Sequence, residues 1–255
     1  MPDSDAADLP FIAPCRELRP GAPLRWLALG WTDMRRAPAA SLTYGAIIAL
    51  LSALIVGTAL RFGTSWTLLV LLSGFIFVAP VLCITFYTIS ATLWRGARPQ
   101  VCQTARAARG HLADSLVYSL ILMVLCLLWV RAGSAVQIFF PERVPPRQAD
   151  LLLFFAIGST IGSVFALVAF AASAFSLPML VDRRTDAVTA VVSSINAALR
   201  NRRAMAVWAA LIALAVLAGF ATALLGLAIT MPLIGHASWH AYRETIDASA
   251  WPLQD

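Results

Sequence analysis

Two histidines near the end of the last apolar run, His236 and His240, are four residues apart. On a helix that spacing puts both imidazoles on one face, about one turn from each other. Neutral imidazoles so placed can chelate a transition metal or face a haem. A zinc or copper site needs one or two further ligands, and His111, Cys102 and Asp114 fall on the same side of the membrane in the topology derived below. The simpler reading is that the histidines join Trp239 and Tyr242 in an amphipathic belt at the lipid–water boundary. That reading is preferred, and no cofactor is expected. Other chemistry is sparse. Cys15, Cys83, Cys102 and Cys126 show no CxxC or zinc-ribbon spacing and read as reduced packing residues. The chain has no HExxH, phosphate loop, GxSxG or dinucleotide fingerprint, so no enzyme activity is expected.

The elements that carry these residues are set by composition. Of 255 residues, 60% are hydrophobic and only 13% charged, and the mean hydropathy is +0.80. Soluble domains carry about a quarter charged residues, so a soluble globule, a disordered chain and a disulfide scaffold are excluded. All 19 basic residues are arginine, and the net charge is +6. In a membrane chain such arginines collect in cytoplasmic loops facing anionic headgroups, so the expected partners are the bilayer and its headgroups, not nucleic acid. Asp3, Asp5 and Asp8 precede the first basic residue, Arg16, which is the wrong order for a cleaved signal peptide.

A bilayer core needs about 20 apolar helical residues to cross. Ser41 to Leu60, Trp66 to Leu93, Ala113 to Val130 and Leu151 to Val181 supply four spans. The 39 residues from Ala204 to Tyr242 contain no Asp, Glu, Lys or Arg. As one helix they would run about 58 Å, nearly twice the apolar thickness. Two spans reversing between Gly219 and Gly226 fit better, glycine making the reversal cheap; one long helix kinked at Pro232 is the alternative. The expected architecture is therefore all-α, with six spans in three hairpins plus short amphipathic interfacial helices. Fifteen of the arginines then share the side of both termini, against Arg61, Arg131, Arg143 and Arg147 opposite. That bias places the termini in the cytoplasm. Residues 1–19 and 247–255 read as cytoplasmic tails of a single membrane domain, 20–246, with residues 1–8 disordered.

The cytoplasmic connections have helical patterning. Thr185 to Arg200 places Val188, Val191, Val192, Ile195 and Leu199 on a stripe, with Asp182 or Thr185 as the cap. Leu24, Leu27, Trp31 and Met34 form a similar stripe, with Trp26 at headgroup depth, and Gln100 to His111 is a poorer third copy. Each precedes a hairpin whose second span holds a proline (Pro80, Pro178, Pro232), expected to kink it. The plan of interfacial helix, span and kinked span thus recurs three times. Gly158 and Gly162, with Ser159 and Ser163 one residue on, form a small-residue face expected to pack against another helix, within the chain in preference to a second copy. Arg35, Arg36, Arg183, Arg184, Arg202 and Arg203 are the expected face for lipid or a partner protein.

Leu9-Pro10-Phe11, Trp26-Leu27, Gly30-Trp31, Asp33, Pro38, Ser41-Leu42 and Tyr44-Gly45 resemble an uncharacterised bacterial integral-membrane family, domain of unknown function 2189. Leu177-Pro178-Met179-Leu180, Asp182-Arg183 and the run Gly235 to Arg243 (GHASWHAYR) are similar to it too. The resemblance implies a polytopic inner-membrane protein and brings no assigned activity. Three functions follow: a non-enzymatic accessory or assembly protein that holds lipid or another membrane complex; a transporter for an uncharged solute, lined by Ser73, Thr85, Tyr87, Thr160, Ser173 and Thr222; and a metal or haem protein. The first is favoured, since no charged residue lies inside a span to couple transport.

Overall fold

The computed structural model describes residues 10–63, 65–139 and 148–254. Asp3, Asp5, Asp8, Leu9, Arg143 and Arg147 lie outside them. Among the described residues the chain is all-α, with ten helices: α1 (Ala22–Arg36), α2 (Pro38–Phe62), α3 (Ser65–Trp94), α4 (Val101–Gly110), α5 (Leu112–Phe139), α6 (Gln148–Ser173), α7 (Ser176–Asp182), α8 (Ala187–Arg200), α9 (Arg202–Ala221) and α10 (Leu227–Thr245). Short helix, long helix and second long helix recur three times in this order, with α6 and α7 sharing the third place of the second round. Pro80 and Pro232 lie inside unbroken helices. Pro178 instead follows a true break, since α6 stops at Ser173 and α7 restarts at Ser176.

Among the described residues, five helical stretches are long and apolar enough to cross a membrane: α2, Ser73–Trp94 of α3, Leu112–Val136 of α5, α6 with α7 as Gln148–Asp182, and α9. The expected sixth, α10, is not among them. Its first half is apolar, but its second carries His236, Ser238, His240, Arg243 and Glu244. The last apolar run is nevertheless two helices and not one kinked rod, reversing at 222–226.

Glycine does not make that reversal. The positive-φ residues are Ala223 (50°) and Leu224 (71°). Leu224 N–H donates to Gly219 O (3.0 Å) and Ala223 N–H to Phe220 O (3.0 Å), the paired closure of a Schellman C-terminus. Gly219 and Gly226 serve close packing instead: a Cβ on Gly226 would stand 3.2 Å from the Gly219 Cα.

The buried core lies at one end of the bundle. In α2 the buried residues are Ala40, Ser41, Tyr44, Gly45 and Ile48, all in its first half. In α3 they run from Pro80 to Ala91, and in α5 they are Ser115, Tyr118 and Ser119. Helices α1, α7, α8 and α10 gather at this same end. The segments expected to be free tails are stitched onto it: Arg16 N–H donates to Thr245 O (2.8 Å), Asp247 N–H to Pro14 O (2.8 Å) and Gln254 N–H to Asp182 O (3.0 Å).

The short helices leave part of their apolar stripe exposed and pack other residues inward. In α1, Trp26 is fully buried against the rest of the chain, while Leu24 is 60% exposed and Trp31 is exposed too. The inward face is Ala22, Trp26, Gly30, Asp33 and Met34, because Gly30 lets α10 approach: a Cβ there would stand 2.7 Å from Ala237 N. In α8 the buried face is the small one (Ala190, Ser193, Ser194, Ala197), and Val188 and Leu199 point outward. Its cap is Asp186, whose carboxylate accepts the Thr189 N–H at 2.9 Å. Asp182 is committed to α10, and the Thr185 hydroxyl is buried without a partner.

Candidate functional site

The densest set of polar side chains surrounds the second half of α10. Every residue from Ile234 to Tyr242 is buried, and buried polar groups must find partners. The helix is held on three sides. His236 Nε2 lies 2.9 Å from Ser41 Oγ at the start of α2, and its Nδ1 lies 2.9 Å from Ser90 Oγ near the end of α3. A neutral imidazole has one donor and one acceptor nitrogen, so one serine donates to the ring and the other accepts from it. Phe86 meets the same ring edge-on, with centroids 5.6 Å apart. One turn on, His240 Nε2 is 2.8 Å from Asp33 Oδ2 of α1. Tyr242 OH donates to Asp182 Oδ2 (2.9 Å), which also accepts from Arg243 Nη1 (3.1 Å) and Arg183 Nε (3.1 Å).

Around this set the ends of the chain close. Trp26 Nε1 donates to Glu244 Oε2 at 2.6 Å, and Arg25 pairs with the other oxygen. Burial alone would raise the Glu244 carboxyl; the hydrogen bonds from Arg25 and Trp26 and the arginine charge outweigh it and hold the group below the usual carboxylate range. Arg183 Nη1 donates to Trp251 O (2.8 Å). Asn201, between α8 and α9, accepts from Leu18 N–H (2.8 Å) and donates to Arg16 O (3.1 Å).

The histidines do not assemble a ligand set. Both nitrogens of His236 are engaged by hydroxyls, and His240 faces Asp33. His111 sits at the α4–α5 junction with its Nδ1 buried and unpartnered. Desolvation holds that imidazole below its ordinary value, opposed by the nearby Asp114. Among the described residues no three His, Cys, Asp or Glu side chains converge to hold a metal. The partners of His236 and His240 escape sequence reasoning because Asp33, Ser41 and Ser90 lie far away in the chain.

The other sequence-derived residues are scattered. Gly158 has nothing within 4 Å of a built Cβ, and Gly162 meets only Trp129 Nε1 at 3.6 Å. Ser159 and Ser163 are exposed, so this face is not packed within the chain as expected. Between α3, α5 and α6 lies a cavity of about 360 Å³, lined by Ile76, Leu122, Cys126, Trp129, Gly162 and Phe165 among others. None of the hydroxyls proposed for a solute path lines it. Thr85, Thr160, Ser173 and Thr222 donate to their own helix carbonyls. Of the expected arginine face, Arg35, Arg36, Arg202 and Arg203 are exposed, whereas Arg183 is tied inward; Arg95, Arg98, Arg106, Arg109 and Arg200 also stand exposed at this end.

No curated protein and no solved structure gives a match to this chain. Residues 68–182 match the family model described as Predicted integral membrane protein (DUF2189), so the family resemblance read from the sequence holds over that stretch.

Proposed function

We propose that this is a non-enzymatic accessory protein of the bacterial inner membrane that holds anionic lipid headgroups, and through them a membrane partner, on its arginine-rich end. Both termini lie in the cytoplasm in this reading, and the three rounds of helices descend from an internal duplication. One observation carries it: at one end of the bundle three acidic side chains are taken up by basic partners, while most of the guanidiniums face outward. Asp33, Asp182 and Glu244 are paired with His240, Arg243 and Arg25. The exposed arginines are left with an excess of positive charge at the level of α1, α4 and the start of α9. Basic residues near an anionic leaflet each contribute about 1 kcal/mol of attraction.

The test is thermal unfolding in nanodiscs of phosphatidylcholine alone and of phosphatidylcholine with phosphatidylglycerol. The anionic lipid is expected to raise the midpoint, and added salt to reduce the gain. A variant with Arg35, Arg36, Arg202 and Arg203 changed to Gln is expected to lose most of it. Equal midpoints in both lipids overturn the reading.

A further inference from the structure

The packing of α10 against α2 fixes how far the α9–α10 hairpin reaches. His236 meets Ser41, and a Cβ on Gly45 would strike the carbonyl of Ala228 and stand 2.7 Å from Pro232 Cγ. The two helices therefore run antiparallel, with the first turn of α10 level with Gly45. Gly45 is the eighth of the 25 residues of α2. At 1.5 Å per residue, about 25 Å of α2 continues beyond the point where α10 begins. The other partner agrees: Gly235 lies against Phe86, so α3 also extends well past the start of α10. No residue of α2 after Ile48 is buried.

The tip is made for hydrocarbon. Irregular backbone exposed to lipid leaves polar groups that water cannot satisfy. Here the amides of Ala223, Leu224, Leu225, Leu227 and Ala228 donate to nearby carbonyls of the same turn, and the Gly226 amide donates to Thr222 Oγ1 at 2.8 Å. Thr222 in turn donates to Gly219 O at 2.9 Å. The side chains turned outward are apolar: Leu225 is 76% exposed, and Leu217, Phe220 and Ile229 are exposed with it.

We infer that α9–α10 is a re-entrant hairpin that enters from the arginine-rich side, turns inside the bilayer against the acyl chains of the cytoplasmic leaflet, and returns. This rests on the reading that α2 crosses the bilayer starting from that side. The protein then crosses fully four times, and the termini still share a side.

The experiment uses the full chain with its four cysteines replaced and a single cysteine at residue 225, 61 or 203 (L225C, R61C, R203C). A membrane-impermeant maleimide is applied to spheroplasts and to inside-out vesicles. R61C is expected to react only in spheroplasts and R203C only in inside-out vesicles. L225C is expected to react in neither, and to react once detergent is added. Depth-graded nitroxide lipids should quench a bimane on L225C most strongly within the acyl chains of the cytoplasmic leaflet, short of the bilayer centre. Reaction of L225C in spheroplasts, or quenching greatest at the headgroups, overturns the hairpin. Reaction of R61C from the cytoplasmic side overturns instead the reading on which it rests.

Discussion

Gly30 of α1 faces Ala237 of α10 so closely that the two backbones pack with no side chain between them: a Cβ on residue 30 would stand 2.7 Å from the Ala237 nitrogen and 2.9 Å from Leu233 O. Both obstacles are backbone and cannot swing aside. Overpacking of this kind typically costs 1 to 3 kcal/mol, so Gly30→Ala is expected to lose about 2 kcal/mol. Unfolding in detergent, followed by tryptophan fluorescence, checks this. Because Trp26 packs edge-on to Trp208 at 5.5 Å one turn away, displacement of α1 should also shift the emission of the folded state.

The Asp33–His240 pair is buried on both sides. Truncating one member leaves the other without its partner, at a cost of about 1 to 3 kcal/mol. Asp33→Ala is expected to fall in that range. Asp33→Asn keeps an oxygen that can accept from His240 Nε2 and should lose less. Equal losses for the two variants, measured by thermal unfolding, would show that the hydrogen bond is not what holds α1 to α10.

Five of the expected spans were legible because charge-free runs closed by charged residues need only local composition, and even the reversal near residues 222–226 follows from the length of its run; α10, expected as a sixth, is too polar in its second half. The order of short and long helices was legible for the same reason. What could not be read locally is which face each short helix buries. Trp26 looks like an interface residue until Glu244 supplies a partner from the other end of the chain. Leu24 and Trp31 lie on the apolar stripe of α1, yet the packed face is the one where Gly30 meets α10. His236 and His240 carry a metal-like spacing, yet their real partners, Ser41, Ser90 and Asp33, become neighbours only after α1, α2, α3 and α10 have packed.

At the start of α8, burial pushes the Asp186 carboxyl up, but the hydrogen bonds from Thr189 and from the backbone amides of the first turn more than offset this, and the group lies below its usual value. A depressed carboxylate stabilises the fold above its unfolded pKa, and the gain is lost as pH falls through the folded value. Asp186→Ala is expected to cost about 1 kcal/mol at neutral pH, as capping residues do. The difference between the two proteins should vanish as the pH is lowered below the carboxylate range. Melting curves across pH check it; a difference that persists in acid contradicts the cap.

At the hairpin tip, Ala223 adopts φ 50°, a conformation that costs a residue bearing a Cβ about 1 kcal/mol and glycine almost nothing. Ala223→Gly is therefore expected to stabilise the protein by somewhat less than that, since glycine also gains freedom in the unfolded chain. A lowered midpoint of thermal unfolding would contradict the Schellman closure at this position.

In the proposed orientation the arginine-rich end, with α4 and the packed C-terminus, faces the cytoplasm. Cys102 on α4 is a native exposed thiol, and the C-terminal segment is anchored beside Asp182. A chain keeping Cys102 as its sole cysteine and carrying a green fluorescent protein after residue 255 reports both positions at once. A fluorescent fusion is expected, with a Cys102 that an impermeant maleimide reaches in inside-out vesicles but not in spheroplasts. Labelling of Cys102 in spheroplasts, or a dark fusion, would contradict it.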